Sequence, residues 1–137
     1  MKISFVDSGV LIAAARGTPE IIARTNEILT DPERSFASSI YVRLEVLPKA
    51  SYYGRDKELA LYIRFFDIVC HWAPVGDSLT QEAEKVAFRS GLSALDALHI
   101  AAARAVGADE LITSEKPGKP IHRVQGITVR TIYALRH

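Results

Sequence analysis

Residues 90–115 read SGLSALDALHIAAARAVGADELITSE and hold the strongest fold signal in the chain. One carboxylate, Asp96, stands near the head of a run otherwise dominated by Ala, Leu and Ile, long enough for about four helical turns. Gly107 closes that helix. Glu110 to Thr113 then read as a short buried strand, and a second carboxylate, Glu115, follows directly. A charge at the head of an apolar helix is costly unless something uses it. A strand followed by an acid is where open α/β sheets place ligands. The stretch therefore predicts a helix and a strand of an α/β sheet, and it calls for partner acids elsewhere in the chain.

The N-terminus shows the same pattern of a strand followed by an acid. Ile3 to Val6 is a β-prone run ending at Asp7. Ser8 is a candidate N-cap or hydroxyl ligand, Gly9 permits close backbone approach, and Val10 to Ala15 is helix-forming. Thr18-Pro19-Glu20 starts a second helix, with Ile21, Ile22, Thr25, Ile28 and Leu29 as its apolar stripe. A second strand is predicted over Ser35 to Ser38, with Ser38 or Ser39 capping a helix that carries Ile40, Val42, Leu44, Glu45, Val46 and Leu47 and meets Pro48. An amphipathic helix over Asp56 to Val69, a third strand within Val69 to Pro74 and a polar helix over Asp77 to Arg89 follow. Ser90 and Ser93 are the caps available to the Asp96 helix. Lys116 to Gln125 is a loop, Gly126 to Ile132 a last strand, and the chain ends in a frayed basic tail. Strands alternating with helices predict one α/β domain over residues 1–137, with a mostly parallel sheet, helices on both faces and right-handed crossovers.

Composition narrows the function. At 48% hydrophobic and 24% charged, the chain is globular and long enough to bury a core without covalent staples. Its net charge of +1 supplies no overall field for a polyanion, so any such binding depends on local clusters of Lys and Arg. Cys70 is the only cysteine, which excludes an internal disulfide and a cysteine-based zinc site, and it reads as a core residue. Neither a signal-type leader nor an apolar run of membrane-spanning length is visible, so a soluble, cytoplasmic protein is expected.

Four acids stand out by their structural slots: Asp7 ends a strand, Glu45 lies on the helix after a strand, Asp96 begins a helix, and Glu115 follows a strand. In a parallel sheet, strand C-termini share one edge with the helix N-termini that follow them, so the four can converge. Like charges brought together raise one another's pKa and repel. A divalent cation removes the conflict, and carboxylates with hydroxyls favour hard ions such as Mg²⁺ or Mn²⁺. Such an ion lowers the pKa of a water and neutralises charge at a phosphoryl group. The bland alternatives are solvated helix faces for Glu45 and Glu115, and a first-turn residue favoured by the helix dipole for Asp96.

These residues carry a family resemblance. Phe5-Val6-Asp7-Ser8, Ser39-Ile40-Tyr41-Val42-Arg43-Leu44-Glu45, Leu95-Asp96-Ala97-Leu98-His99-Ile100-Ala101 and Leu111-Ile112-Thr113-Ser114-Glu115 together resemble the PIN-domain ribonucleases, most closely the small VapC-type toxins. The resemblance implies a three-layer PIN-like domain whose acidic pocket binds Mg²⁺ or Mn²⁺ and hydrolyses RNA. It places Asp7, Glu45 and Asp96 in the three main acidic slots, Glu115 in the fourth, and Ser8 and Thr113 at supporting hydroxyls. It also implies a homodimer and an antitoxin that blocks the pocket. Two departures stand out: Gly9 replaces a polar residue, which removes one hydrogen bond, and Glu115 replaces Asp, which changes its reach so that it would hold its ion through water. A stand-alone PIN nuclease in RNA processing, and a catalytically weak PIN module that binds RNA or protein, are the alternatives. A phosphate-accepting response-regulator-like domain is disfavoured, because the first strand offers one acid where that site needs two.

The remaining candidates are contacts. His99 lies one turn from Asp96 and is read as structural in preference to a ligand. Arg43, Lys49, Arg89 and Lys116 flank the acids in sequence and are the candidate RNA contacts, with Lys85, Lys119 and Arg123 nearby. Tyr52, Tyr53 and Trp72 suit base stacking, packing or an interface. The helical segments Ile40 to Leu47 and Leu61 to Phe66 suit a subunit interface.

Overall fold

The computed structural model describes residues 1–133; the basic tail expected at 134–137 lies outside the described residues. Five strands run β1 (Lys2–Val6), β2 (Arg34–Ser38), β3 (His71–Trp72), β4 (Glu110–Thr113) and β5 (Thr128–Thr131). Six helices join them: α1 (Ser8–Arg16), α2 (Pro19–Leu29), α3 (Ile40–Tyr52), α4 (Asp56–Ile68), α5 (Asp77–Ser90) and α6 (Ala94–Ala105). All neighbouring strands pair in parallel, in the order β3-β2-β1-β4-β5. The central strands are apolar and buried along their C-terminal halves, as a sheet covered on both faces requires.

The strand order creates the site. From β1 the chain moves outward to β2 and β3, then returns to place β4 on the other side of β1. With right-handed crossovers, this reversal puts α1–α4 on one face and α5–α6 on the other. It also opens a crevice beyond the C-terminal ends of β1 and β4, the usual ligand position in such sheets. Val6 pairs with Ile112 there, and the Asp7 N–H donates to the Ile112 carbonyl at 3.0 Å.

Local chemistry explains most boundaries. Thr18 caps α2 with Pro19 at its first position, Ser39 caps α3, and Ser93 caps α6. Gly91 and Gly107 take positive φ where α5 and α6 end. Several expectations change. Asp7, not Ser8, is the N-cap of α1: its carboxylate accepts from the Val10 N–H at 3.2 Å, and Ser8 is the first helical residue. Helix α3 runs through Pro48 to Tyr52. The proline removes only the bond to the Leu44 carbonyl, and Leu44 is 67% exposed, so water can satisfy that oxygen. The third strand shrinks to two residues, and Cys70 beside it is exposed, not in the core. Phe65 and Phe66 of α4 are buried against Phe36 and Trp72, which withdraws them from any interface, whereas Ile40, Leu44, Tyr52 and Tyr53 remain exposed.

At the opposite end of the sheet, Glu110 is fully buried at the start of β4. It accepts from Ser4 Oγ at 2.6 Å and pairs with Lys2 at 3.7 Å, Arg34 at 3.1 Å and Arg130 at 2.7 Å. Burial alone would raise its pKa, but the Ser4 hydrogen bond and the Arg34 and Lys2 charges outweigh it and hold the carboxyl below its ordinary value. One carboxylate thus ties β1, β2, β4 and β5 together.

Candidate metal centre

Asp7 lies buried in the crevice between β1 and β4. Burial pushes its carboxyl up to about 6. The Thr113 hydroxyl, the His99 ring and the Val10 N–H oppose that rise, and the negative charge of Asp96 adds to it. Asp7 and Asp96 are therefore electrostatic neighbours although 89 residues separate them. Neither forms an ion pair with a Lys or Arg among the described residues.

Asp96 is the third residue of α6, and its N–H donates to the Ser93 cap at 3.3 Å. A capping box would turn the carboxylate back to the Ser93 N–H. No such hydrogen bond forms among the described residues, so the half-buried carboxylate is left for another partner.

Glu45 enters from α3. Its carboxylate accepts hydrogen bonds from Ser8 Oγ and from His99 Nε2, the latter at 2.9 Å. Burial works against ionisation, but these two hydrogen bonds and the charges of His99 and Lys49 prevail, so the carboxyl titrates below its usual range. Ser8 Oγ is also 3.3 Å from His99 Nε2, which makes Ser8, Glu45 and His99 one three-helix cluster. The buried His99 ring thus reaches Glu45, one of the four candidate acids. Its position one turn beyond Asp96 was the sequence signal for this.

Glu115 follows β4 as expected, but its contacts are made by the backbone: its N–H donates to Thr113 Oγ1 at 3.0 Å, and its carbonyl accepts from His122 at 3.0 Å. Gly9 also has a geometric reason. A Cβ there would overlap the Ser114 hydroxyl, with Ser114 Cβ only 3.1 Å away and Asp7 Oδ1 at 3.5 Å. A hydroxyl from Ser114 fills the space that a side chain at position 9 would take.

The structure thus brings Asp7, Asp96 and Thr113 together, and joins Glu45 to Ser8 and His99. Among the described residues, no three Asp, Glu, His or Cys side chains stand close enough to surround one ion as they lie. The donor chemistry nevertheless fits a hard divalent cation: carboxylates and hydroxyls, with two neighbouring acids that pair with no Lys or Arg among the described residues. Of the candidate RNA contacts, Lys49 lies in the field of Glu45, Arg43 stacks over the Phe66 ring, Lys116 lies over Tyr133, and Arg89 faces a cleft beside α6. No helix among the described residues is long and apolar enough to cross a membrane.

A parallel α/β domain of this order belongs to the class of open sheets that bind ligands in the switch-point crevice. The profile of the PIN domain family matches residues 4–117, and the chain belongs to that family, whose members are nucleases and generally use divalent metal ions. Solved structures share the fold. A toxin–antitoxin complex from Klebsiella pneumoniae aligns with a TM-score of 0.72 at 19% identity, covering 95% of this chain and 98% of that one. VapBC2 from Rickettsia felis, bound to a promoter DNA fragment, aligns at 0.69 and 14%, covering 94% and 98%. VapBC-1 from nontypeable Haemophilus influenzae aligns at 0.67 and 16%, covering 96% and 98%. No curated protein sequence matches the chain.

Proposed function

We propose that this protein is a metal-dependent endoribonuclease and the toxin of a toxin–antitoxin pair. The observation that carries the reading is the buried Asp7 beside Asp96, two acids that form no ion pair with a Lys or Arg among the described residues, in the crevice of a PIN domain. Asp7, Glu45 and Asp96 would hold Mg²⁺ or Mn²⁺, with Glu115 assisting from the β4 end. A bound ion supplies Lewis-acid activation of water and charge neutralisation at the phosphate.

The chain's own contribution is orientation. Val10 N–H and the Thr113 hydroxyl fix the Asp7 carboxylate, while Ser8 and His99 fix that of Glu45. Lys49, Arg43, Arg89 and Lys116 offer the positive charge that an RNA backbone requires next to an acidic pocket. The likeness to chains in VapBC complexes supports an antitoxin as partner, and the exposed Ile40 and Leu44 of α3 support a homodimer interface.

The test is cleavage of mixed single-stranded RNAs with Mg²⁺ or Mn²⁺, with EDTA as the blank. Cleavage by the wild-type protein should fall by on the order of 100-fold in Asp7→Asn and Asp96→Asn. Equal activity in all three, or full activity in EDTA, would end the assignment.

A further inference from the structure

The loop after Glu115 folds back over α5 and α6 and leaves a cleft of about 310 Å³. Three arginines line it: Arg89 of α5, Arg104 of α6 and Arg123 of the 3₁₀ turn at Pro120–Arg123. Ser90 and Gln125 complete its polar wall, and no carboxylate and no aromatic ring lines it. Lys2, Arg16, Arg24, Arg34, Lys85 and Arg130 each sit in an ion pair. Arg89, Arg104 and Arg123 sit in none among the described residues. Converging like charges repel unless an anion joins them.

The cleft is also built. Arg104 donates to the Gln125 carbonyl, and its guanidinium lies against Gly126, where an added Cβ would come within 3.4 Å of Nη2. Gly126 has φ +85°, so glycine serves both the turn and this close approach. One arginine is therefore fixed by backbone while Arg89 and Arg123 remain exposed and free to close on a ligand. Planar guanidinium forks match phosphate oxygens in bidentate fashion. No aromatic ring adds a stacking platform for a base, and converging guanidinium forks suit a phosphate, so we take the phosphate as the group held.

Its place in the chain ties the cleft to the acidic crevice. Arg89 ends α5 just before the turn that caps the Asp96 helix, and Arg123 belongs to the loop that leaves Glu115. Arg104 lies eight residues after Asp96, about 12 Å along the helix axis. We propose that this cleft grips a backbone phosphate of a bound RNA strand, away from the bond that is cut. The identity of the strand rests on the nuclease reading above.

The experiment measures binding of a fluorescein-labelled single-stranded RNA to the full-length protein in EDTA, across a range of NaCl concentrations. Arg89→Gln/Arg123→Gln should weaken binding about tenfold and flatten the salt dependence by about one contact's worth, a slope change near 0.7. Arg55→Gln/Lys57→Gln removes the same charge at the start of α4 and should change affinity by no more than about twofold. Equal losses in the two variants, unchanged binding in the first, or no RNA binding by the wild type would overturn the proposal. So would an equal arginine-dependent loss for a poly-glutamate peptide, which would assign the cleft to acidic polypeptides. If arginine-dependent RNA binding is found but Mn²⁺ elicits no cleavage, the cleft stands and the nuclease reading falls.

Discussion

His99 Nε2 lies 2.9 Å from Glu45 Oε1, and Ser8 Oγ hydrogen-bonds the same carboxylate oxygen, so α1, α3 and α6 meet on one acid. Glu45 is a third exposed and would otherwise sample many rotamers. The cluster holds it in place, and it makes His99 a positioning residue for that acid. His99→Leu keeps the volume and removes the donor, whereas His99→Gln retains one. Cleavage should drop about tenfold or more in the leucine variant and recover in part with glutamine. Similar activity in the two variants would reduce His99 to packing.

Asp7 predicts a conflict between stability and function. Its folded pKa of about 6 lies above the ordinary aspartate value, so the folded state binds the proton more tightly than the unfolded one. Without metal, its contribution is therefore unfavourable at neutral pH, and that penalty fades as pH falls through 6 towards the ordinary value. Asp7→Asn keeps an N-cap oxygen for the Val10 N–H and removes the buried charge. At pH 7 in EDTA the variant should be more stable by about 2 kcal/mol while losing cleavage. Thermal unfolding in EDTA checks this; a variant less stable than wild type at pH 7 contradicts it.

Gly9 and Ser114 share one space. Gly9→Ala should destabilise the protein by about 1 kcal/mol, because Ser114 Cβ at 3.1 Å must move and its hydroxyl must rotate. Adding Ser114→Gly should remove most of that penalty, and a double-mutant cycle reads the coupling. Additive effects would show that the two positions do not compete.

Much of this was legible in the sequence because it is local. Asp7 after an apolar strand, Ser93 three residues before Asp96, and the apolar Leu111 and Ile112 ahead of Glu115 each carry their own signature. What the sequence hid depends on distant partners. Glu110 looked like an ordinary strand residue, yet its role needs Lys2, Arg34 and Arg130 from three other strands. Cys70 was assigned to the core on residue type, but the sheet edge leaves it exposed. The arginine cleft joins residues 89, 104 and 123 through a loop whose path no periodicity encodes.

Glu110 gives the acid limit of the fold. Its folded pKa lies below the ordinary glutamate value, so its stabilisation is present above that value and is lost as pH falls through the lowered one. Glu110→Gln leaves the partly exposed Lys2 and Arg130 uncompensated and Arg34 with Asp31 alone, and should cost about 2 kcal/mol at pH 7, less than a fully buried pair would. The gap between variant and wild type should narrow well below pH 4.5, the ordinary glutamate value. A gap independent of pH in urea unfolding would contradict the assignment.

The central claim is that Asp7 and Asp96 share a divalent ion. Calorimetric titration of Mn²⁺ into the wild-type protein and into Asp96→Asn at pH 7.5 tests it most directly. Binding should be saturable in the wild type, at least about tenfold weaker in Asp96→Asn, and unaltered in Glu110→Gln at the far end of the sheet. Equal Mn²⁺ affinity in wild type and Asp96→Asn would contradict it.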